Sequence, residues 1–230
     1  MKLTLFYGTD LASFAPHICL RKAGAPFDAV KLDKHSGVLS ESWYLKLNPN
    51  ARIPTLVVGD QKDGDLEDGD LEDGGFIVRE SAAICLFIAE NFPASGLLPP
   101  AGTAGRARAL DSLIYLTNTV QADLMIWFYG HRYCDDDTQK DVIKGHAARR
   151  LGSMFATLND QLATHGPWLG GDTPGCADYF LYMLAGWAMQ AGIPEPPSSH
   201  PHVLDHARRC EALPEVRDTM EAEGFTSHFG

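Results

Sequence analysis

No two of the five cysteines in this 230-residue chain stand in a C-x-x-C pair, and their number, Cys19, Cys85, Cys134, Cys176 and Cys210, is odd. That argues against a disulfide framework and for a reduced, cytoplasmic compartment. Of the nine histidines only His202 and His206 stand in an H-x-x-x-H spacing, and surface histidines explain that cluster more cheaply, so no metal is expected. No apolar run approaches the roughly 20 residues that a membrane span requires. Met1 to Tyr7 is apolar but too short for a signal peptide, and no secretory leader is expected. Positive charge is scarce, with 19 Lys and Arg against 30 Asp and Glu, a net −11 that argues against a nucleic-acid partner.

The acid is concentrated. Residues 60–73 carry eight carboxylates and one lysine, which leaves only −4 for the rest of the chain. Within that stretch Gly64-Asp65-Leu66-Glu67-Asp68 repeats at once as Gly69-Asp70-Leu71-Glu72-Asp73. Alternating acids suit calcium, but the glycine that an EF-hand needs at its sixth position is missing, so a solvated acidic hairpin loop is the reading.

A hydrophobic fraction of 45% implies a packed core. Strands are expected at Leu3 to Phe6, Phe27 to Leu32, Pro54 to Val58 and Phe76 to Val78. Helices are expected at Ser13 to Lys22, with Ser13 as cap and Gly24 as stop, and at Ser81 to Glu90. The order is β-α-β, a segment of uncertain structure, then β-β-α, an α/β domain of residues 1–92. Residues 93–105, with Pro99-Pro100 at the centre, read as a linker. Residues 106–230 read as an all-helical domain, with helices at Arg106 to Phe128, Thr138 to Leu162, Ala177 to Gln190, Val203 to Glu211 and Glu215 to Glu223.

Three short segments carry chemistry. A cis Ile53-Pro54 bond at the mouth of a strand exposes the N–H and C=O of Ile53 to an extended peptide; an ordinary trans proline at a strand start is the plainer alternative. Glu80-Ser81 opens a helix, where free N–H groups and the Ser81 hydroxyl suit a carboxylate and Glu80 suits an ammonium; a simple N-cap is the alternative. Ser13, at the start of the first helix, suits a thiolate, which helix N-termini stabilise, or serves only as a cap.

Together these segments resemble the glutathione transferase family. The resemblance is carried by Asn48-Pro49-Asn50-Ala51-Arg52-Ile53-Pro54, Glu80-Ser81-Ala82-Ala83-Ile84, and Trp168-Leu169-Gly170-Gly171-Asp172 leading to Ala177-Asp178-Tyr179. Pro201-His202-Val203 and Leu213-Pro214-Glu215-Val216-Arg217 are similar to the terminal helices of bacterial members. The resemblance implies a thioredoxin-like N-terminal domain, an all-α C-terminal domain and a homodimer. It implies that Pro54 is cis, that Ile53, with Arg52 beside it, holds the cysteinyl backbone of glutathione, and that Glu80 and Ser81 hold its γ-glutamyl end. Lys34 and His35 are expected to meet its glycine carboxylate or to be exposed loop charges. The family's helix-capping box is half lost, because Gly175 stands three residues before Asp178.

Beta-class members look similar around Ser13-Phe14-Ala15-Pro16-His17-Ile18 but carry a cysteine where this chain has Ala12. They carry a histidine where Gln121 aligns. A mixed disulfide with glutathione at that cysteine position is therefore excluded. Ser13 is the expected thiolate donor, with Tyr7 or a backbone N–H as alternatives, and His17 is expected to lie against its helix neighbours. An apolar acceptor cleft is expected from Leu11, Gln121, Trp127, Phe128 and Trp187, although core packing explains the aromatics equally well. Cys19 and Cys85 read as small buried hydrophobes and His200, His202 and His206 as surface histidines. The expected activity is conjugation of the glutathione thiolate to small apolar electrophiles, with glutathione as co-substrate and neither metal nor nucleotide. A glutathione-dependent reductase, peroxidase or ether-cleaving enzyme, and a non-catalytic binding protein, are the alternatives.

Overall fold

Alternation along Leu3–Tyr7 (β1) sends Leu3, Leu5 and Tyr7 to one face of a strand and Phe6 to the other, and the whole strand is buried. β1 pairs in parallel with Asp28–Lys31 (β2) and antiparallel with Thr55–Val58 (β3), which pairs antiparallel with Phe76–Arg79 (β4). The sheet order is β2-β1-β3-β4. The computed structural model describes residues 1–59 and 74–229; the duplicated acidic stretch lies outside the described residues.

The chain divides into two compact units, Met1–Leu97 with Asp218–Phe225, and Leu98–Arg217 with Thr226–Gly230. Asp218–Phe225 thus groups with the first unit, although the sequence reading carried the helical domain on to residue 230.

In the first unit, Phe14–Lys22 (α1) packs beside Ser81–Asn91 (α3). The parallel β1-α1-β2 crossover followed by the β3-β4 hairpin and α3 is a thioredoxin-like arrangement. The segment of uncertain structure contains a helix, Ser42–Leu47 (α2). Its six residues are too few for a periodic signal, but Tyr44 and Leu47 pack on Phe6, Leu32 and Val57 in one buried cluster. Cys19 and Cys85 are fully buried on α1 and α3.

The second unit is helical. Ala104–Tyr115 (α4) is capped by Thr103, whose Oγ accepts the Arg106 N–H at 3.2 Å, and continues through a π-helical turn, Leu116–Gln121, into Ala122–Phe128 (α5). The single helix expected over Arg106 to Phe128 therefore carries a π segment, an irregularity that hydrophobic periodicity does not encode. Asp137–His165 (α6), Cys176–Ala191 (α7) and Pro201–Ala212 (α8) follow, then Pro214–Glu223 (α9), whose residues from Asp218 on group with the first unit.

Asp178 organises the start of α7. Its two carboxylate oxygens accept the N–H groups of Leu169 and Gly175, each at 2.9 Å, and Oδ1 also meets His206 Nε2 at 2.9 Å. Gly175 has no side chain to return a bond, so the capping box is one-sided. His206 is fully buried, which corrects the surface reading of that histidine, while His202 is exposed. No described helix is long and apolar enough to cross a membrane.

Candidate functional site

Strand register brings the sequence motifs together. Thr55 pairs with Arg79 as the last rung between β3 and β4, so Ile53-Pro54 and Glu80-Ser81 flank the ladder at the same end of the sheet. Phe6 pairs with Thr55 on the other side, which sets the end of β1, and the loop of residues 8–13 after it, beside Pro54. Three segments far apart in sequence thus meet at one end of the sheet.

The Ile53-Pro54 bond is cis. The loop before it is tied to its own scaffold. Asn48 Nδ2 donates to Arg52 O at 2.8 Å, and Tyr44 OH donates to the same carbonyl at 2.7 Å. Asn48 Oδ1 accepts the Asn50 N–H, and Arg79 Nε donates to Leu47 O at 2.6 Å. The Ile53 side chain packs on the Phe6–Tyr44 cluster, while its main-chain N–H and C=O have no partner among the described residues. A rigid, unpaired stretch of extended backbone is a template for another extended chain.

Glu80 occupies φ 67°, ψ 121°, a conformation that costs a non-glycine residue of order 1–3 kcal/mol and persists where surroundings impose it. Here β4 ends at Arg79 and α3 begins at Ser81, with Glu80 alone between them. Ser81 is 7% exposed, and its hydroxyl has no partner among the described residues, nor do the N–H groups of Ser81, Ala82 and Ala83. The Glu80 carboxylate, exposed, forms no cap bond. An α3 N-terminus with free donors beside an exposed carboxylate fits a group carrying both a carboxylate and an ammonium.

Ser13 departs from expectation. It is fully buried; its Oγ–H donates to Gly8 O at 3.1 Å, and its Oγ accepts the Gly8 N–H at 3.2 Å. It makes no side-chain cap bond to α1. The one proton of this hydroxyl is spent inside the loop, so the role of direct thiolate donor expected for Ser13 has no free O–H to carry it. The backbone N–H groups of Ala12 and Ser13 have no partner among the described residues.

Tyr7 sits behind the loop, its ring 5.1 Å from that of His17. Burial, then the nearby Glu223 carboxylate, push its phenol above the ordinary range, with Arg21 opposing. His17 is buried against Tyr7 and Phe27, and its Nδ1 meets Glu223 Oε1 at 2.9 Å. Glu223 Oε2 also accepts the Asp10 N–H at 2.9 Å. Each Glu223 oxygen thus has one nitrogen neighbour, and His17 Nε2 has no partner among the described residues. Burial raises the Glu223 carboxyl from its ordinary value, and its bonds to His17 and Asp10 oppose this. Glu223 escaped sequence reading because it stands among the charged residues of α9, far from everything it touches.

Lys34, His35 and Arg52 are exposed, and the His35 N–H is accepted by Asp33 at 2.8 Å. Leu11 is half-buried beside Ala12 in the first unit. The other expected cleft residues belong to the second unit. Gln121 ends the π turn, Trp187 is buried on α7, and Phe128 is 41% exposed. Trp127 carries Lys144 Nζ 4.7 Å above its ring and borders a depression of about 370 Å³ that also includes Asp141 and Arg149. Ala148 and Pro194 line it as well, so charged and apolar side chains share it. Among the described residues no group of His, Cys, Asp and Glu is placed to hold a metal ion.

The fold is a thioredoxin-like domain followed by helices. The "Glutathione S-transferase, N-terminal domain" model matches residues 13–91, and the corresponding C-terminal domain model matches residues 120–209. The chain belongs to the glutathione S-transferase family. It is 29% identical over 228 residues to a glutathione S-transferase of Xanthomonas campestris, covering 97% of this chain and all of that one. Among solved structures it is similar to a glutathione S-transferase from Xylella fastidiosa, with TM-score 0.83, 27% identity, and 97% and 100% of the two chains covered. A sphingomonad glutathione S-transferase solved in complex with glutathione gives TM-score 0.76 and 29% identity over 97% of this chain and all of that one.

Proposed function

We propose that the chain binds glutathione at the sheet end and delivers its thiolate to small, largely apolar electrophiles. The observation that carries this reading is the juxtaposition, through the β3–β4 register, of the unpaired Ile53 main chain with the free donors of Ser81. The cysteinyl backbone of glutathione pairs with Ile53 as an added strand, and its γ-glutamyl carboxylate takes Ser81 Oγ and the α3 N–H groups. Glu80 takes the ammonium. Arg52, Lys34 and His35 are the cations available to the glycine carboxylate.

The sulfur then faces the residue 8–13 loop. The backbone N–H of Ala12, with the partial positive charge of the α1 N-terminus, lowers the thiol pKa. The thiolate forms a carbon–sulfur bond, and the leaving group departs with the electron pair of the bond it breaks; holding both reactants supplies the rest of the acceleration. Leu11, Gln121, Trp127, Phe128 and Trp187 are the side chains proposed for the acceptor, and the active species is a homodimer. Ala12 in place of a cysteine disfavours a reductase that works through an enzyme-bound disulfide.

Titration calorimetry with glutathione tests the reading, followed by aryl halides, epoxides, hydroperoxides and disulfides as acceptors. Micromolar to millimolar binding with turnover of aryl halides supports it. Binding with turnover of hydroperoxides or disulfides alone moves the chain to the peroxidase or reductase reading, and no binding moves it to a non-catalytic protein of this fold.

A further inference from the structure

The loop next to the proposed sulfur position is held from the far end of the chain. Glu223 grips it twice and α1 once: Oε2 accepts the Asp10 N–H at 2.9 Å, the main-chain carbonyl accepts Thr9 Oγ–H at 2.9 Å, and Oε1 meets His17 Nδ1 on α1 at 2.9 Å. Lys31 Nζ reaches the same carbonyl at 3.3 Å. The His17 and Glu223 side chains are 1% and 0% exposed. Burying a carboxylate is costly unless each of its oxygens is satisfied, and here each oxygen has one nitrogen neighbour. Nearby, Phe14 meets Phe225 with ring centroids 5.0 Å apart, so the same segment also docks by apolar contact. Docking alone does not call for the carboxylate.

The loop needs an external hold. Asp10 takes φ 52°, a left-handed conformation that non-glycine residues adopt rarely. Its N–H is the group that Glu223 binds. Two residues later come Ala12 and Ser13, whose N–H groups are unpaired among the described residues. Ser13 closes the loop from its other end through Gly8.

We infer that Glu223 is a positioning residue for the thiolate: by fixing Thr9, Asp10 and His17 it holds the β1–α1 loop in the shape that leaves the N–H of the partly exposed Ala12 open to sulfur. It acts through the loop and does not touch glutathione. The inference rests on the glutathione reading above.

The test compares Glu223→Ala with Glu223→Gln. Both remove the same charge, but the glutamine oxygen still accepts the Asp10 N–H. Each protein is saturated with glutathione, its affinity measured by calorimetry, and its thiolate followed by ultraviolet absorbance at one near-neutral pH. Glutathione affinity is expected to stay within about threefold, because Ile53, Glu80 and Ser81 are untouched, while thiolate in Glu223→Ala falls about tenfold below Glu223→Gln. Equal thiolate in the two variants overturns the inference. If Glu223→Ala does not fold, Thr9→Val, which removes only the hydroxyl bond to the Glu223 carbonyl, is expected to lower thiolate about threefold, and an unchanged level overturns the inference. If the unaltered chain does not bind glutathione, the function reading fails separately. Hydrogen exchange of the Asp10 amide in the unliganded variants then decides the loop: exchange about tenfold faster in Glu223→Ala than in Glu223→Gln supports it, and equal rates overturn it.

Discussion

Ser13 Oγ bridges both polar groups of Gly8, donating to its carbonyl at 3.1 Å and accepting its N–H at 3.2 Å. The hydroxyl therefore builds the loop rather than offering a proton to a ligand. Ser13→Ala leaves two buried main-chain groups of Gly8 with one bond fewer each, and is expected to cost about 1–3 kcal/mol in urea unfolding. Loss of conjugation with no loss of stability would restore the hydroxyl as direct thiolate donor.

Glu80 stores backbone strain where its side chain is proposed to hold an ammonium. Glycine adopts φ 67° without penalty, so Glu80→Gly is expected to match or exceed the unaltered chain in thermal midpoint. The same change removes the carboxylate and is expected to weaken glutathione about tenfold or more, the loss of one charge-assisted bond. Calorimetry and thermal denaturation on one preparation check both halves, and a destabilised Glu80→Gly with normal affinity would contradict each.

Asp178 satisfies Leu169, Gly175 and His206 from a position 1% exposed. Asp178→Ala removes one partner of a buried pair and two helix-start bonds together, and is expected to cost about 3 kcal/mol or more. Urea unfolding measures it, and a cost under about 1 kcal/mol would mean that water replaces the lost acceptor.

The Glu223 carboxyl has a raised folded-state pKa, chiefly through burial. A carboxyl raised on folding favours the folded chain when protonated. That contribution is fully present below the unfolded value and is lost as pH rises through the folded value. Glu223→Gln removes the titration, so between mildly acidic pH and neutrality the variant should lose less stability than the unaltered chain. Urea midpoints for both proteins at the two pH values check the sign; parallel slopes would place Glu223 at an unshifted value.

Much of the fold is legible in one dimension because the signals are local. Leu3–Tyr7 and Thr55–Val58 are apolar runs with turn residues around them, and Gly24, at φ 60°, ends α1 as its position suggests. The helices of the second unit follow from apolar spacing over many turns. The short α2 was not legible, since Tyr44 and Leu47 acquire meaning only against Phe6 on a separate strand. The π turn before Gln121 was not legible either, since its departure is in hydrogen bonding and not in residue type.

The site divides along the same line. Which residue types stand beside Pro54 and at the head of α3 follows from the chain alone, because a proline, a serine and a carboxylate carry their chemistry wherever they are. Whether a hydroxyl is free or already spent, and which buried acid steadies a loop, depends on atoms brought together from distant parts of the chain. Ser13 finds Gly8 within its own turn, but Glu223 lies 206 residues from His17, and His206 lies 28 residues from Asp178. Packing decides those meetings, since a buried polar group must find its donor or acceptor wherever the folded chain supplies one.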